Sequence, residues 1–268
     1  MDKFNDIESF SHGYKHFLNA CKTERETAAK AAEMAKAAGF MPLDTVQALH
    51  PGDKVFTLYK NKAAALFVIG KKSLKSGMRL LCAHTDAPRL DIRPCPLYEK
   101  DGLGMLRTHY YGGIKKYQWV AIPLALHGVI VRKTGEKVII NIGEDENDPV
   151  FCISDLLVHL AQEQMTKNAK EVVEGEALNL IVGGRPLEGE EKDAVKANVL
   201  KLLADKYGVE EEDFLSAELE IVPAGKARDM GFDRSMILAY GHDDRVCAYA
   251  ELKALFDLEG APRRTAVC

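Results

Sequence analysis

The chain has 268 residues, of which 47% are hydrophobic, and a formal net charge of −4 at pH 7. This is enough apolar material for a sizeable core, and the length favours more than one domain. Positive and negative residues are interleaved and no basic block is present, which argues against nucleic acid as a partner.

The sequence contains no pattern typical of export or membrane insertion. Its first ten residues, MDKFNDIESF, are polar, unlike a secretory signal. The longest apolar run, residues 119–131, is interrupted by Pro123 and His127 and is shorter than the ~20 residues that cross a bilayer. The six cysteines are scattered and are expected to be reduced thiols. We therefore expect a cytoplasmic protein with no membrane partner.

The N-terminal third predicts two helices, a hairpin and a strand. The first helix is indicated by apolar residues at helical spacing: Phe10, Tyr14, Phe17 and Leu18. In the second, Thr23 and Glu26 are placed for a capping box and Gly39 for a C-terminal stop. The runs KVFTLYK and AAALFVIG, separated by Asn61 and Lys62, predict a hairpin. The run MRLLCAHTD predicts a strand buried on both faces. Together these elements indicate an α/β layer fold.

From about Pro94 the pattern changes to short β-like runs separated by glycine turns, as in a small β-rich domain. Within it, PVFCISDLLVHLAQEQM predicts a helix capped by Ser154. An amphipathic helix is predicted from Asp193 to its stop at Gly208, and AELEIVPAGK predicts a strand. The acidic loops of this region carry no site.

After Gly231 the first pattern returns. An apolar strand runs into Asp243 and Asp244, and an alanine-rich helix begins near Val246. The closing residues RRTAVC predict the start of a further strand.

His84 and Asp86 form the first candidate site. In a strand, residues two apart share a face, so the two side chains should point the same way. A metal-bound imidazole needs its second ring nitrogen held by an acceptor, which Asp86 can provide. A strand-end hydrogen-bonded pair without a metal would use the same two residues, and the motif alone does not decide between them.

Asp243 and Asp244 form the second candidate site. Adjacent carboxylates at a strand exit suggest a cation site, although in extended backbone only one of them would face a shared metal. Either could instead cap the following helix. Neighbouring His242 is expected to be structural and His127 to be a buried, hydrogen-bonded residue. No site is predicted from the N-terminal histidines, and His109 and His159 are left open.

Three motifs in order, CAHTDAPRLDIRP, THYYGGIKKYQW and YGHDDRVCAYAELKAL, resemble the M18 family of cocatalytic zinc aminopeptidases, most nearly its bacterial members. The resemblance implies a mixed-sheet metallopeptidase catalytic domain (residues 1–94 and 231–268) interrupted by an inserted β-rich dimerisation domain (residues 95–230). It implies that His84 is a zinc ligand, that Asp86 is the catalytic acid that orients it, and that Asp243 bridges two zinc ions. The family usually has asparagine where this chain has Asp244.

The resemblance also implies the reaction and its partners. Two zinc ions, replaceable by other divalent metals, would activate water to release N-terminal residues from peptide substrates, in a homo-oligomer built from dimers. The family's general-base glutamate and remaining ligands lie beyond Cys268, so the C-terminal part of the catalytic domain is expected to be absent and the chain inactive by itself. The apolar run near Trp119 is either an oligomer contact or, more simply, core.

Two other functions fit the same residues. One is a non-catalytic oligomerisation module whose metal site is vestigial. The other is a different metallohydrolase that uses His84 and Asp243 on a carbohydrate or an amide. Motifs for serine hydrolases, dinucleotide-binding folds, P-loop NTPases and HExxH zincins are absent from the sequence.

Overall fold

The computed structural model describes residues 3–268, so Met1 and Asp2 of the polar N-terminal stretch lie outside the described residues. The helices and strands, in chain order, are α1 Lys3–Ala20, α2 Glu24–Ala37, β1 Met41–Pro42, β2 Lys54–Tyr59, β3 Ala63–Val68, β4 Arg79–Leu80, β5 Arg89–Lys100, β6 Leu103–Tyr111, β7 Leu124–Val131, β8 Lys137–Ile142, β9 Leu180–Gly183, α3 Ala194–Tyr207, β10 Glu218–Pro223, β11 Arg228–Met230, β12 Met236–Leu238, α4 His242–Phe256 and β13 Ala266–Val267. None of these helices is long and apolar enough to cross a bilayer.

The described chain divides into two compact units. Unit 1 comprises the residues up to Ala87 together with Lys226–Cys268, and unit 2 comprises Pro88–Gly225. The sequence places the boundaries at residues 94 and 230, a few residues later in each case. Pro94 lies inside β5, at a β-bulge between Ile92 and Leu97. The two prolines of β5 therefore lie in an irregular part of a strand.

Unit 1 is a mixed α/β layer, as the sequence predicts. Its five-stranded sheet has the order β1-β2-β3-β13-β4, with β13 antiparallel to β3 and parallel to β4. The main hydrophobic cluster is built from α1, α2, α4 and the sheet, including Phe17, Leu66 and Leu252, each less than 5% exposed. The predicted strand RRTAVC is thus confirmed as β13, an interior strand of the sheet.

The sequence correctly predicts α2, its capping box and its stop. The Thr23 hydroxyl accepts from Glu26 N at 3.2 Å, and the Glu26 carboxylate accepts from Thr23 N at 3.0 Å. Gly39 follows the helix with φ +83°, a left-handed conformation that favours glycine. These contacts satisfy helix-end groups that would otherwise be unpaired.

The β2–β3 hairpin is confirmed with a shift of one residue in its turn. Tyr59 pairs with Ala63, and Lys62 N donates to Tyr59 O at 3.0 Å. The two turn residues with positive φ are therefore Lys60 and Asn61, rather than Asn61 and Lys62.

The predicted buried strand MRLLCAHTD is wrong in its length and burial. Only Arg79 and Leu80 form β4, and both are exposed. The strand lies at the edge of the sheet and pairs only with β13, whose regular part has two residues. Leu81 N still donates to Val267 O at 2.9 Å, and the segment from Cys82 onwards is a loop. Cys82 is correspondingly exposed.

Unit 2 is β-rich, with a six-stranded antiparallel sheet of order β8-β7-β10-β5-β6-β9. The residues of β7 are buried or nearly so, and Trp119 before it is 7% exposed, so the apolar run near Trp119 is core. The predicted strand β10 and helix α3 are both confirmed. Gly208 ends α3 with φ +60°.

The helix predicted at residues 149–165 is not formed. Phe151 and Cys152 make isolated β-bridges to Leu124 and Ile181, and a short 3₁₀ turn at Gln164–Thr166 is the sole regular helical piece. Most helical stability in proteins comes from packing an apolar face. Here Leu156, Leu157, Val158 and Leu160 are between 55 and 71% exposed. Without a surface to pack against, their periodicity does not produce a helix.

We expect Thr23→Ala to lower the free energy of unfolding by about 1 kcal/mol, because the change removes the side-chain half of the capping box. Chemical denaturation measures the difference. Thr23→Ser keeps the hydroxyl and should stay within a few tenths of a kcal/mol of the parent chain. Equal losses for serine and alanine would show that the cap hydrogen bond contributes nothing measurable.

Candidate functional site

His84 lies in the loop that follows β4, and Asp86 fixes the orientation of its ring. Nδ1 of His84 is 3.0 Å from the backbone oxygen of Asp86 and 3.1 Å from its Oδ1. Both oxygens are acceptors, so Nδ1 carries the proton and donates it. The two side chains thus meet as expected, but through a loop rather than along one face of a strand.

Asp243 lies at the beginning of α4, outside its regular part. Asp243 and Asp244, joined by a cis peptide bond, have non-helical φ/ψ angles, and regular helix begins at Arg245. The Asp243 side chain is 92% exposed. The N-cap residue of α4 is Gly241, which has no side chain to form a cap hydrogen bond, and the alternative in which Asp243 or Asp244 caps the helix stays a prediction.

The structure brings His84 and Asp243 together, with His84 Nε2 3.2 Å from Asp243 Oδ1. Two ligand atoms at ordinary Zn–N and Zn–O bond lengths in a tetrahedral site are separated by about 3.4 Å. Since Nδ1 holds the proton, the lone pair of neutral His84 is on Nε2, facing the carboxylate. The pair therefore fits two of the ligands of one divalent ion.

The surroundings of His84 favour positive charge. Burial acts to lower its pKa. The hydrogen bond to the backbone of Asp86, the charge and side-chain hydrogen bond of Asp86, and the charge of Asp244 outweigh it, and the net pKa of His84 is raised. A field that stabilises an imidazolium also stabilises a metal cation at the same place.

Asp244 has a different environment from Asp243. A side-chain hydrogen bond to Asp244 raises the pKa of the Cys247 thiol. Burial, followed by the charge of Asp244, raises the pKa of Glu251. Asp244 therefore adds negative charge near His84, whereas the described ion pair with His84 is made by Asp243.

Sequence reasoning missed Arg245, the largest fully buried side chain of the chain described. Its Nη2 donates to Lys22 O at 2.8 Å, and its guanidinium lies 5.5 Å from the Tyr240 ring centroid. A Cβ on Gly241, whose φ is +83°, would lie 1.8 Å from Arg245 Nη1. Gly241, which precedes His242 and Asp243, was the available clue in the sequence, because a glycine allows the backbone to approach the buried arginine.

His242 is structural, as predicted. Its Nε2 is 3.1 Å from Ile237 O, an acceptor, so Nε2 carries the proton and Nδ1 accepts from Tyr14 Oη at 2.9 Å. Burial, opposed by the charge of Arg245, raises the pKa of Tyr14 to about 12, so the phenol remains a donor at neutral pH. This bond ties α1 to the residue that precedes Asp243.

Three histidines, His109, His127 and His159, lie in unit 2. His127 is 1% exposed and is 3.2 Å from Glu144 Oε1, which confirms the buried, hydrogen-bonded residue predicted for it. His109 stacks on Tyr110 in β6, and His159 lies in the irregular segment before the 3₁₀ turn.

Within residues 3–268, no group of three or more His, Cys, Asp or Glu side chains is arranged to hold a metal ion. His84 and Asp243 supply two donors of the correct chemistry, whereas a four-coordinate site requires further ligands. The described residues therefore offer two donor groups at this place and no third.

Comparison with known proteins gives a consistent result. Residues 17–266 match the family model described as aminopeptidase I zinc metalloprotease (M18). A probable M18 family aminopeptidase 1 of Clostridium acetobutylicum is 52% identical over 272 residues, covering 98% of this chain and 58% of the relative. The chain thus spans somewhat more than half the length of the relatives it matches.

Solved structures show the same fold. The crystal structure of an M18 family aminopeptidase from Thermotoga maritima aligns with TM-score 0.94 and 45% identity, covering 99% of this chain and 58% of that one. A dodecamer of mApe1 from S. cerevisiae aligns with TM-score 0.70 at 18% identity, over 98% of this chain and 60% of that one, and shows the likeness of fold alone.

We expect Asp86→Asn to lower the pKa of His84 in metal-free protein, because the change removes the carboxylate charge that faces the ring. An NMR titration of the imidazole follows the shift. Asp53→Asn is a matched control, since Asp53 faces His50 and not His84. An unchanged His84 pKa in Asp86→Asn would rule out Asp86 as the group that holds the imidazole charged.

Proposed function

The chain belongs to the aminopeptidase I (M18) family of zinc metalloproteases, and on that basis we propose that it supplies the first metal ligands of an enzyme that removes N-terminal residues from peptides. The observation that carries the proposal is the 3.2 Å approach of His84 Nε2 to Asp243 Oδ1. Family membership supports the class of reaction, and the geometry supports the choice of residues.

In this proposal, His84 donates its Nε2 lone pair and Asp243 a carboxylate oxygen to a divalent ion, zinc by the family's description. When bound, the metal supplies Lewis acidity for the peptide carbonyl and a water of lowered pKa. Asp243 has a second oxygen, and its exposed carboxylate suits the bridging role in a two-zinc site that the sequence resemblance implies. Other divalent metals with the same ligand preferences could replace zinc.

Asp86 acts in the proposal as a positioning residue rather than by contact with substrate. It accepts the Nδ1 proton through two oxygens, which keeps the ring in the tautomer that offers Nε2. Loss of such an orienting partner usually costs roughly 10–100-fold in metal affinity or activity. Asp244 adds charge next to the site and is given no ligand role.

The proposal also concerns the third metal ligand and the general base, which residues 3–268 are not assigned to supply. Residues 3–268 hold no third ligand beside His84 and Asp243. No side chain of residues 3–268 is assigned as the base that removes a proton from water, a role that needs a group within hydrogen-bonding reach of that water. We therefore propose that the 268 residues alone release no N-terminal residue. The remaining part of an M18 chain would complete the centre.

Fusion of residues 1–268 to the C-terminal part of the Clostridium relative tests this function. We expect the chimaera to release N-terminal residues from a peptide panel in a metal-dependent manner, and the 268-residue chain to release none. In the chimaera, His84→Ala and Asp243→Ala should each lower kcat/KM by more than the roughly 10–100-fold expected for Asp86→Asn.

His50→Ala is the control for those variants, because His50 is exposed and pairs with Asp53 rather than with the site. It should retain the activity of the parent chimaera. Full activity of either ligand variant, or release of N-terminal residues by the 268-residue chain, would contradict the assignment.

We further propose that unit 2 mediates self-association through an apolar ridge formed by Leu156, Leu157, Val158 and Leu160. Contiguous apolar side chains at this level of exposure mark interaction sites on soluble proteins. The occupant we propose is a second copy of this chain, in keeping with the homo-oligomer that the sequence resemblance implies.

Leu157→Glu should weaken self-association, since it would bury a charge in the proposed contact without disturbing a packed core. Sedimentation velocity over a range of protein concentrations measures the change. Leu215→Glu is the control, because Leu215 is 66% exposed and lies outside the ridge. Equal association of both variants and the parent would exclude the ridge as the contact.

A second candidate function is a non-catalytic oligomerisation module with a vestigial metal site. The exposed ridge and the incomplete ligand group within residues 3–268 both favour it. The chimaera separates the two functions, because a module would self-associate and yet give no metal-dependent peptide hydrolysis when completed.

A further inference from the structure

We propose that His12 and His16, on the exposed face of α1, form a binding site for one divalent transition-metal ion, separate from the His84–Asp243 pair. Sequence analysis predicted no site from these two residues. They are four positions apart, however, which places them on neighbouring turns of the same helix face.

The geometry of the pair suits chelation. His16 Nε2 is 3.3 Å from His12 Nε2, and the ring centroids are 4.4 Å apart with the rings crossing at 72°. Two nitrogens bound to one tetrahedral ion at ordinary Zn–N distances are about 3.4 Å apart. The pair therefore already has the separation that a shared ion requires. The competing arrangement, in which the two nitrogens share one hydrogen bond, needs a proton on one ring where the ion needs none.

The helix holds the pair rigidly. Tyr14, Phe17 and Leu18 bury the opposite face of α1 in the core of unit 1. His12 and His16 project from the exposed face of the same turns. Because the backbone of α1 is anchored, a bound ion would order two side-chain rotamers without ordering any backbone, which lowers the entropic cost of binding.

The depression beside the pair carries more positive than negative side chains. Both histidines border an open depression of about 540 Å³ shared with Lys15, Arg228, Asp229 and Arg234. The hydrogen bond from Lys15 lowers the pKa of Asp229; burial opposes this, and the charges of Lys15, Arg234 and His12 lower the pKa further. The single Asp229 carboxylate offsets one of the three cations, Lys15, Arg228 and Arg234, so the attraction for a metal ion comes from the two imidazole nitrogens. Exposed Glu8, one turn before His12, offers a further oxygen on the same side of the helix.

Ligand chemistry defines the class of ion. Imidazole nitrogens suit zinc, nickel and copper, whereas magnesium and calcium prefer oxygen ligands. Two imidazoles on one helix face, with water completing the coordination, therefore predict a site that binds nickel and zinc and ignores magnesium. Neither histidine contributes to the core, so the pair can be removed without unfolding the helix.

Nickel titration by isothermal calorimetry tests the site in the 268-residue chain. A His84→Ala background removes the other metal-binding pair from the measurement. In that background we expect one nickel ion per chain, with the affinity at least 10-fold lower in both His12→Ala and His16→Ala. The His50→Ala control should match the background. Far-UV circular dichroism of each variant should equal the background, because both residues are exposed.

Two results would overturn the proposal. One is the absence of nickel binding in the His84→Ala background at concentrations where helical di-histidine pairs bind. The other is binding that survives in His12→Ala and His16→Ala with unchanged affinity, which would place the ion elsewhere. Magnesium chloride in place of nickel should give no heat of binding, and magnesium binding abolished by the same substitutions would contradict the assigned class of ion.

Discussion

The approach of His84 to Asp243 is the contact on which the other features of unit 1 converge, and residues that touch neither side chain hold it in place. Arg245 is completely buried, donates to the backbone of Lys22 just before α2, and packs closely under Gly241. Burial of a charged group is costly unless it is hydrogen-bonded, and Nη2 is the one guanidinium nitrogen with a partner among the described residues, since Nε and Nη1 are buried without one. The turn that carries Asp243 is thereby fixed to the core formed by the helices.

The other half of the contact depends on β13. This two-residue strand lies between β3 and β4, and β4 has no other partner in the sheet described. The loop that carries His84 begins where that pairing ends. The position of His84 therefore depends on β13, which comes much later in the sequence. His84 and Asp243 are far apart in the sequence and close in space, because some neighbouring strands of this α/β sheet are not consecutive along the chain.

Local sequence signals predicted the elements whose hydrogen bonds are local. The capping box of Thr23 and Glu26, the β2–β3 hairpin and the glycine that ends α3 use partners only a few residues away. Predictions failed where contacts with residues distant in the sequence determine the local structure. The leucines at 156 to 160 have helical spacing but no surface to pack against, and the apolar run before His84 has only a short partner strand.

The candidate site divides in the same way. The sequence related His84 to Asp86 through the geometry of a strand, whereas the structure joins them through a loop in which the backbone oxygen of Asp86 also accepts. The chemistry was predictable because the donor and acceptor types are given by the residues. The conformation was not, since it depends on where β4 loses its partner. No site was predicted from the sequence at His12 and His16, although their spacing of four residues places both side chains on one face of α1.

A proton and a metal ion compete for the same lone pair on His84. Asp86 and the charge of Asp244 raise the pKa of the ring, which strengthens proton binding to Nε2 as well as metal binding there. At low pH a proton occupies Nε2. An acceptor that only raised the basicity of the imidazole would therefore strengthen metal binding little under those conditions. Asp243 affects the binding of a proton and of a metal ion to Nε2 differently. Its carboxylate stands 3.2 Å from Nε2 and can bind a divalent ion directly, whereas toward an imidazolium it offers only a single ion pair in an exposed setting. If the pair binds a metal as proposed, the second carboxylate, rather than the histidine's own partner, would favour the metal over the proton.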